Sequence, residues 1–437
     1  MDGSENLKTL LILILFSISI FVACLKYSQY ERIKQKEIEL NKTLELIESD
    51  LQAYKLEYNR TYRDYLNQKL SREDIENAIK RVLFLKNKLI EVNASKEDIK
   101  SVDNCIKDVY TLQEEGKFYT ALKQSRSCAI IASDSLGSIL AVSDRIKLIE
   151  HAQEELRNLT IMKNEVEEEW KKILERGVNF TDYMVVGLIA EEDILKAEIF
   201  MNDSRNFLKR LQKMPNPQTP EEIENVTILG GWVGGYLEFA RSFLEDARVL
   251  MTRVNSGNFS PNELQEDVYA LRGYLLSIDI PCNSTKFMAA VACDWKEYNK
   301  KLGLMGAERE YYSAAIYYLL YAIAINEHIS EFKALDLAFN STKTPADRVK
   351  MVLDLRHEAL TLLNSCPQDP ITSLYVSDAV GWYFKQGDII LEHMLEFRGE
   401  DPTPQPIYSY EMAKIIAKKM CRAFILDRIN NSENPYS

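Results

Sequence analysis

From Lys26 to Gln68 the apolar positions Ile33, Leu40, Leu44, Ile47, Leu51, Tyr54, Tyr58 and Tyr65 recur at steps of four and three, with Thr61 filling one place. A stripe of that period predicts one helix of coiled-coil type, roughly 60 Å long at 1.5 Å per residue. A second stripe, Val142, Ile149, Ala152, Leu156, Leu159, Met162, Val166, Trp170 and Ile173, ends at Gly177. The first stripe therefore has two candidate partners: the second one, folded back against it, or another copy of the chain in a coiled-coil dimer. Between and after the stripes, helix starts are visible. Ser71 and Ser95 each stand three residues before an acid, and Thr219, Ser260 and Thr344 each precede a proline. Alternating β-type runs are scarce. The expected fold class is all-α, with long coiled-coil helices and stacked helical hairpins behind an N-terminal membrane helix.

That N-terminal element is the uncharged run LLILILFSISIFVACL at residues 10–25. Sixteen residues are short for a bilayer core of ~30 Å, and flanking residues from Thr9 extend the run to a minimal span. The run also fits the apolar core of a signal peptide. Phe21-Val22-Ala23-Cys24 resembles a lipoprotein box, which makes Cys24 a candidate lipidation site and leaves two forms of anchor open. Either form gives membrane contact through residues 9–25. The remaining segmentation is a stalk at 26–68, hairpins and the second coiled-coil helix at 69–176, a helical segment at 177–256 and a C-terminal helical domain at 257–437.

Charge and sequence motifs disagree on which side of the membrane the body lies. Lys8 is the lone basic residue before the apolar run, while Lys26, Arg32, Lys34 and Lys36 follow it, a bias that would keep the body cytoplasmic. Asn-x-Ser/Thr acceptors occur at Asn41, Asn59, Asn93, Asn158, Asn179, Asn202, Asn225, Asn258, Asn283, Asn340 and Asn430. Eleven of the 26 asparagines carry the pattern, where chance gives roughly three. Setting Cys24 aside leaves an even six cysteines, suited to pairing in an oxidising compartment. Cys105 and Cys128 are nearly equidistant from Gly116, the expected turn of a hairpin, so they come side by side. Cys282 and Cys293 bracket a short segment, which leaves Cys366 and Cys421. Acceptors and cysteines outweigh four basic residues, and the body is expected outside the cytoplasm.

Phe118-Tyr119-Thr120-Ala121-Leu122 and Tyr311-Tyr312-Ser313-Ala314-Ala315 share an aromatic pair, a small hydroxyl and an alanine at the same offsets. With Gly116-Lys117 before the first, these stretches have a tetratricopeptide flavour. They resemble the helical region of archaeal membrane-anchored Lon-type serine proteases over about 40 residues. That family would add a catalytic Ser and Lys in a mixed α/β domain, and no such domain is visible in this chain. The resemblance therefore implies no activity.

Little catalytic chemistry shows. His357-Glu358 opens like a zinc-protease helix without the second His, and His151, His328 and His393 stand apart from one another. Gly230-Gly231-Trp232-Val233-Gly234-Gly235 lacks the ending of a phosphate loop, and reads as a helix breaker or a close backbone approach. No cofactor is expected. A net charge of -12 without a basic block argues against nucleic acid. The Tyr-rich run Tyr311, Tyr312, Tyr317, Tyr318 and Tyr321 is the best candidate for an interaction face. The expected role is an extracytoplasmic helical scaffold or protein-interaction protein, without catalysis, for a partner of unknown identity. The alternatives are an accessory subunit or inactive relative of a surface peptidase, and a ligand-binding ectodomain.

Overall fold

Ser71, Ser95, Thr219 and Ser260 sit at helix N-termini, and Thr344 lies outside the described residues. The computed structural model describes residues 61–282, 286–342, 345–367, 369–396 and 403–421. In it, α1 (Thr61–Lys69) leads to α2 (Arg72–Glu91), which Ser71 opens with a capping box to Asp74. Ser95 caps α3 (Lys96–Glu114), its hydroxyl accepting from the Asp98 N–H at 3.1 Å. After α4 (Phe118–Ser143) and α5 (Arg145–Leu174), a π-helical turn at Tyr183–Gly187 runs into α6 (Leu188–Lys213). Thr219, Pro220 and Glu222 start α7 (Pro220–Met251). A tight turn at Pro261–Leu264 precedes α8 (Gln265–Ile278), α9 (Phe287–Glu308), α10 (Tyr312–Glu327), α11 (Ile329–Ser341) and α12 (Pro345–Asn364). The short helix Pro370–Tyr375, a second π-helical turn at Ala379–Phe384, α13 (Lys385–Glu396) and α14 (Gln405–Met420) follow. Among the described residues there is no strand, only a bridge from Val178 to Ser256 and Phe259, so the fold is all-α.

Residues 9–25 with Cys24, most of the 26–68 stripe, and Asn41, Asn59, Asn283 and Asn430 lie outside the described residues. Among the described residues no helix is long and apolar enough to cross a membrane. The last turns of the first stripe are visible as α1, and they are built into the body. Tyr62 and Leu66 are buried, and Asn67 Oδ1 accepts from the Tyr119 N–H at 2.9 Å. Lys69 Nζ reaches the buried Asp182 carboxylate at 2.7 Å, and the Tyr65 hydroxyl donates to the same group.

The glycine-rich run does not break a helix. It lies inside α7, where Gly230 and Gly234 meet Ser133, Gly137 and Ala141 of α4. Small residues at steps of four on both helices bring the backbones close enough for Ser133 Oγ to donate to Gly234 O at 3.0 Å. The Ser138 hydroxyl donates to Thr227 O at 3.2 Å across the same seam. Trp232 points away from it, half exposed, against Phe207 on α6.

The second stripe finds its cover within the described chain. From Ala152 to Met162 it packs on α6 and α7 around Met201, Leu237 and Leu244, Val166 and Trp170 join the main core, and Val142 belongs to the last turn of α4 and is exposed. Farther along, α9 and α10 form a second close hairpin, with Gly303 and Gly306 of α9 against Leu319 and Ala315 of α10.

Gly116, at φ +72, closes the α3–α4 hairpin in the left-handed conformation that glycine adopts without a Cβ penalty. The Lys117 N–H returns to Leu112 O at 2.9 Å and the Gly116 N–H to Gln113 O at 3.1 Å, a Schellman closure. Cys105 and Cys128 bridge the two helices, with Cα atoms 5.6 Å apart. A second disulfide ties Cys366, just past α12, to Cys421, just past α14. The expected Cys282–Cys293 bridge is absent. Both are free thiols, Cys282 exposed beyond α8 and Cys293 buried on α9. Cys282 Sγ is in hydrogen-bonding contact with the Cys293 thiol and also lies 3.8 Å from Glu297 Oε1, so the two thiols are neighbours that are not bonded to each other. The Cys105–Cys128 bridge spans 23 residues, and loop-closure entropy gives it a stabilisation of about 3 kcal/mol. Denaturant unfolding of Cys105→Ser against the parent, both with the second bridge intact, should show a loss of that size.

Candidate functional site

A concavity of about 830 Å³ lies where the end of α5, the 254–261 loop and the α9–α10 turn meet. The loop is pinned to the residues after α5. The Val178 N–H donates to Phe259 O at 3.0 Å, the Phe259 N–H donates back at 3.1 Å, and the Asn179 N–H donates to Asn255 O at 2.8 Å. On the opposite wall, Glu310 holds φ +61, a conformation that costs a non-glycine residue roughly 1–2 kcal/mol. Arg309 next to it ties three helices together. Its guanidinium pairs with Glu167 of α5 at 2.8 Å and with Glu198 of α6, while Lys163 bridges the same two carboxylates at 3.2 Å. The Tyr311 hydroxyl donates to Glu167 at 3.2 Å. Glu310→Gly should relieve the turn and raise stability by about 1 kcal/mol, read from the urea midpoint.

Behind this wall sits Glu191, fully buried on α6. One carboxylate oxygen accepts from Trp170 Nε1 at 3.2 Å and the Tyr183 hydroxyl at 3.0 Å. The other accepts from Ser313 Oγ at 2.6 Å and the Ala314 N–H at 3.1 Å, so Glu191 serves as a remote cap for α10. Burial pushes its carboxyl up to about 7, and the four donors hold it from rising further. The π-helical turn just before α6 places the Tyr183 ring against Trp170, with centroids 6.3 Å apart, and aims its hydroxyl at Glu191.

Three consecutive acids on α6 point in three directions. Glu191 caps α10, Glu192 pairs with Lys196 on its own helix, and Asp193 faces α4. There Arg126, buried, lies 3.2 Å from Asp193, pairs also with Asp246 of α7, and stacks 3.9 Å over the Phe243 ring. Neither Glu191 nor Arg126 is among the residues expected from the sequence. The available signal was three acids together in the otherwise apolar stretch from Met184 to Leu195.

The Tyr-rich run is divided by the fold. Tyr311 and Tyr312 line the cleft, with their rings largely covered. Tyr317, Tyr318 and Tyr321 are interior, because α10 is buried on all sides among α6, α8, α9 and α14. Tyr317 donates to Asp378 at 2.8 Å and packs edge-on against Tyr375. As an exposed interaction face this set is corrected: it is a core helix whose first turn reaches a cleft. The two similar stretches also differ in register. The left-handed residue stands two places before Phe118 but one place before Tyr311, so the motif is displaced by one residue between the hairpins.

Asn93, Asn158, Asn179, Asn202, Asn225, Asn258 and Asn340 are all exposed, and Asn258 lies in the cleft wall. Asn179 is also a helix cap, its Oδ1 accepting from the Asp182 N–H at 3.0 Å. His357 is exposed, and His328 is held by Ala324 O at 2.8 Å. Among the described residues no cluster of His, Cys, Asp and Glu is placed to hold a metal ion. The cleft offers mixed charge, with Lys171 and Arg176 facing Glu175 and Glu310, and no nucleophile–base pair is assembled in it. Comparison with known proteins finds no matching family model, no matching curated protein and no matching solved structure.

Proposed function

We propose that this protein is a membrane-anchored, extracytoplasmic helical scaffold that docks another protein and has no catalytic role. In this reading residues 9–25 hold it to the bilayer and 26–60 form a coiled-coil stalk, the end of the stripe being packed into the body as α1. The stacked hairpins behind the stalk present the docking surface. The observation that carries the reading is the excess of Asn-x-Ser/Thr acceptors, all seven described ones at the surface. The Cys105–Cys128 and Cys366–Cys421 bridges support it, since disulfides persist in oxidising compartments. Intact-mass analysis of protein taken from its native membrane tests it. Glycan mass on several acceptors and two intact disulfides are expected, whereas bare asparagines with every thiol reduced would overturn the placement. A second reading, a ligand-binding ectodomain, is favoured by the 830 Å³ cleft with Tyr311 and Tyr312 in its wall.

A further inference from the structure

A second cavity, about 420 Å³, opens between α2, α4, α5 and α7, within the ~300–1,000 Å³ range of small-ligand sites. It lies beside the glycine seam. Gly137 and Gly234 form its floor, while α2 and α5 stand apart above them. Its walls are apolar, built from Leu85, Leu136, Leu140 and Leu148. The charged lining of its mouth is mixed: Glu91, Glu155 and Glu238 stand beside Arg81, Lys88 and Lys147, and each of the three carboxylates already pairs with a lysine or arginine, Glu155 with Arg241. Arg81 is held there by Glu238 through bonds of 3.1 and 2.6 Å, and Lys88 pairs with Glu91 at 2.7 Å. Both cations also flank the half-exposed Phe84 ring, at 5.3 and 5.7 Å from its centroid. One helical turn apart on α5, Lys147 and His151 face the same mouth, and among the described residues neither side chain has an ionic partner.

An apolar chamber with an uncommitted ammonium and imidazole at its mouth matches one kind of molecule: a hydrocarbon chain ending in an anion. We propose that this cavity binds a free single-chain carboxylate of the fatty-acid class. The chain lies between the leucines over the glycine floor. The carboxylate is met by Lys147, with an imidazole N–H from His151. Charge-assisted bonds of this kind are about twice as strong as neutral ones, so they set head-group selectivity while the leucines supply most of the contact. The inference is independent of where the protein resides.

The test uses the full chain in lipid nanodiscs and a diazirine-bearing dodecanoate, with crosslinked peptides mapped by mass spectrometry. Labelling should concentrate in 81–92, 133–140 and 147–155. Unlabelled dodecanoate should compete at least tenfold better than dodecanol. Lys147→Glu, on the exposed rim, should lower labelling about tenfold with its urea midpoint unchanged, and Leu148→Trp should abolish labelling by filling the chamber. Labelling confined to residues 10–25, no labelling at all (the result for a chamber filled by a protein segment), equal competition by dodecanol, or an unchanged Lys147→Glu each overturns the proposal.

Discussion

Replacing Gly137 by leucine is expected to cost more than about 4 kcal/mol and to leave little cooperatively folded protein. A Cβ at position 137 would stand 2.2 Å from Gly230 O and 3.0 Å from its carbonyl carbon. Those are backbone atoms, which no change of rotamer can move. The α4 and α7 axes would have to separate, and that would pull Ser133 from Gly234 O and Ser138 from Thr227 O, their partners across the seam. Gly235, one residue past the seam, provides the contrast. Its added Cβ would meet only the Asp134 side chain, Oδ1 at 3.4 Å and Cβ at 3.6 Å, both ordinary contacts. Gly235→Ala should therefore gain about 0.5–1 kcal/mol through helix propensity. Urea unfolding of the pair, with far-ultraviolet circular dichroism as the readout, checks both; similar midpoints for the two variants would mean that the close crossing is not what stabilises α4 against α7.

Glu191→Ala should lose at least about 4 kcal/mol, because it strands four donors in the interior at roughly 1–3 kcal/mol each. Trp170 Nε1, the Tyr183 hydroxyl, Ser313 Oγ and the Ala314 N–H would all lose their acceptor at once. The first turn of α10 and the cleft wall should loosen together, seen as faster amide exchange from Tyr311 to Ala315. The parent protein should also carry a pH signature of this group. Its carboxyl stands at about 7 when folded against 4.5 as the ordinary value. A raised carboxyl means that ionisation opposes the folded state. The favourable term is complete below about pH 4.5, declines as pH rises through 7, and amounts to about 3 kcal/mol across that window. Glu191→Gln cannot ionise, so its stability curve between pH 4.5 and 8 should fall by that much less than the parent's. Parallel curves would remove Glu191 as the titrating group.

The sequence by itself determined the all-α class of this protein and where several of its helices begin. Helix starts follow local rules, a hydroxyl accepting a backbone N–H two or three residues away, so Ser71, Ser95 and Thr219 are legible one residue at a time. The Cys105–Cys128 pair was readable for a similar reason, since a hairpin turned at Gly116 makes their distance a matter of counting. What only the tertiary structure decided is which faces meet. Glycines spaced by four read equally well as a helix breaker or a close crossing until Gly137 is brought opposite Gly230. A tyrosine-rich helix reads as a surface or a core until four other helices surround it. Glu191 and Arg126 draw their partners from helices far along the chain, and their burial is stable only because those partners arrive. A charge in the interior depends on long-range neighbours, and no local pattern encodes them.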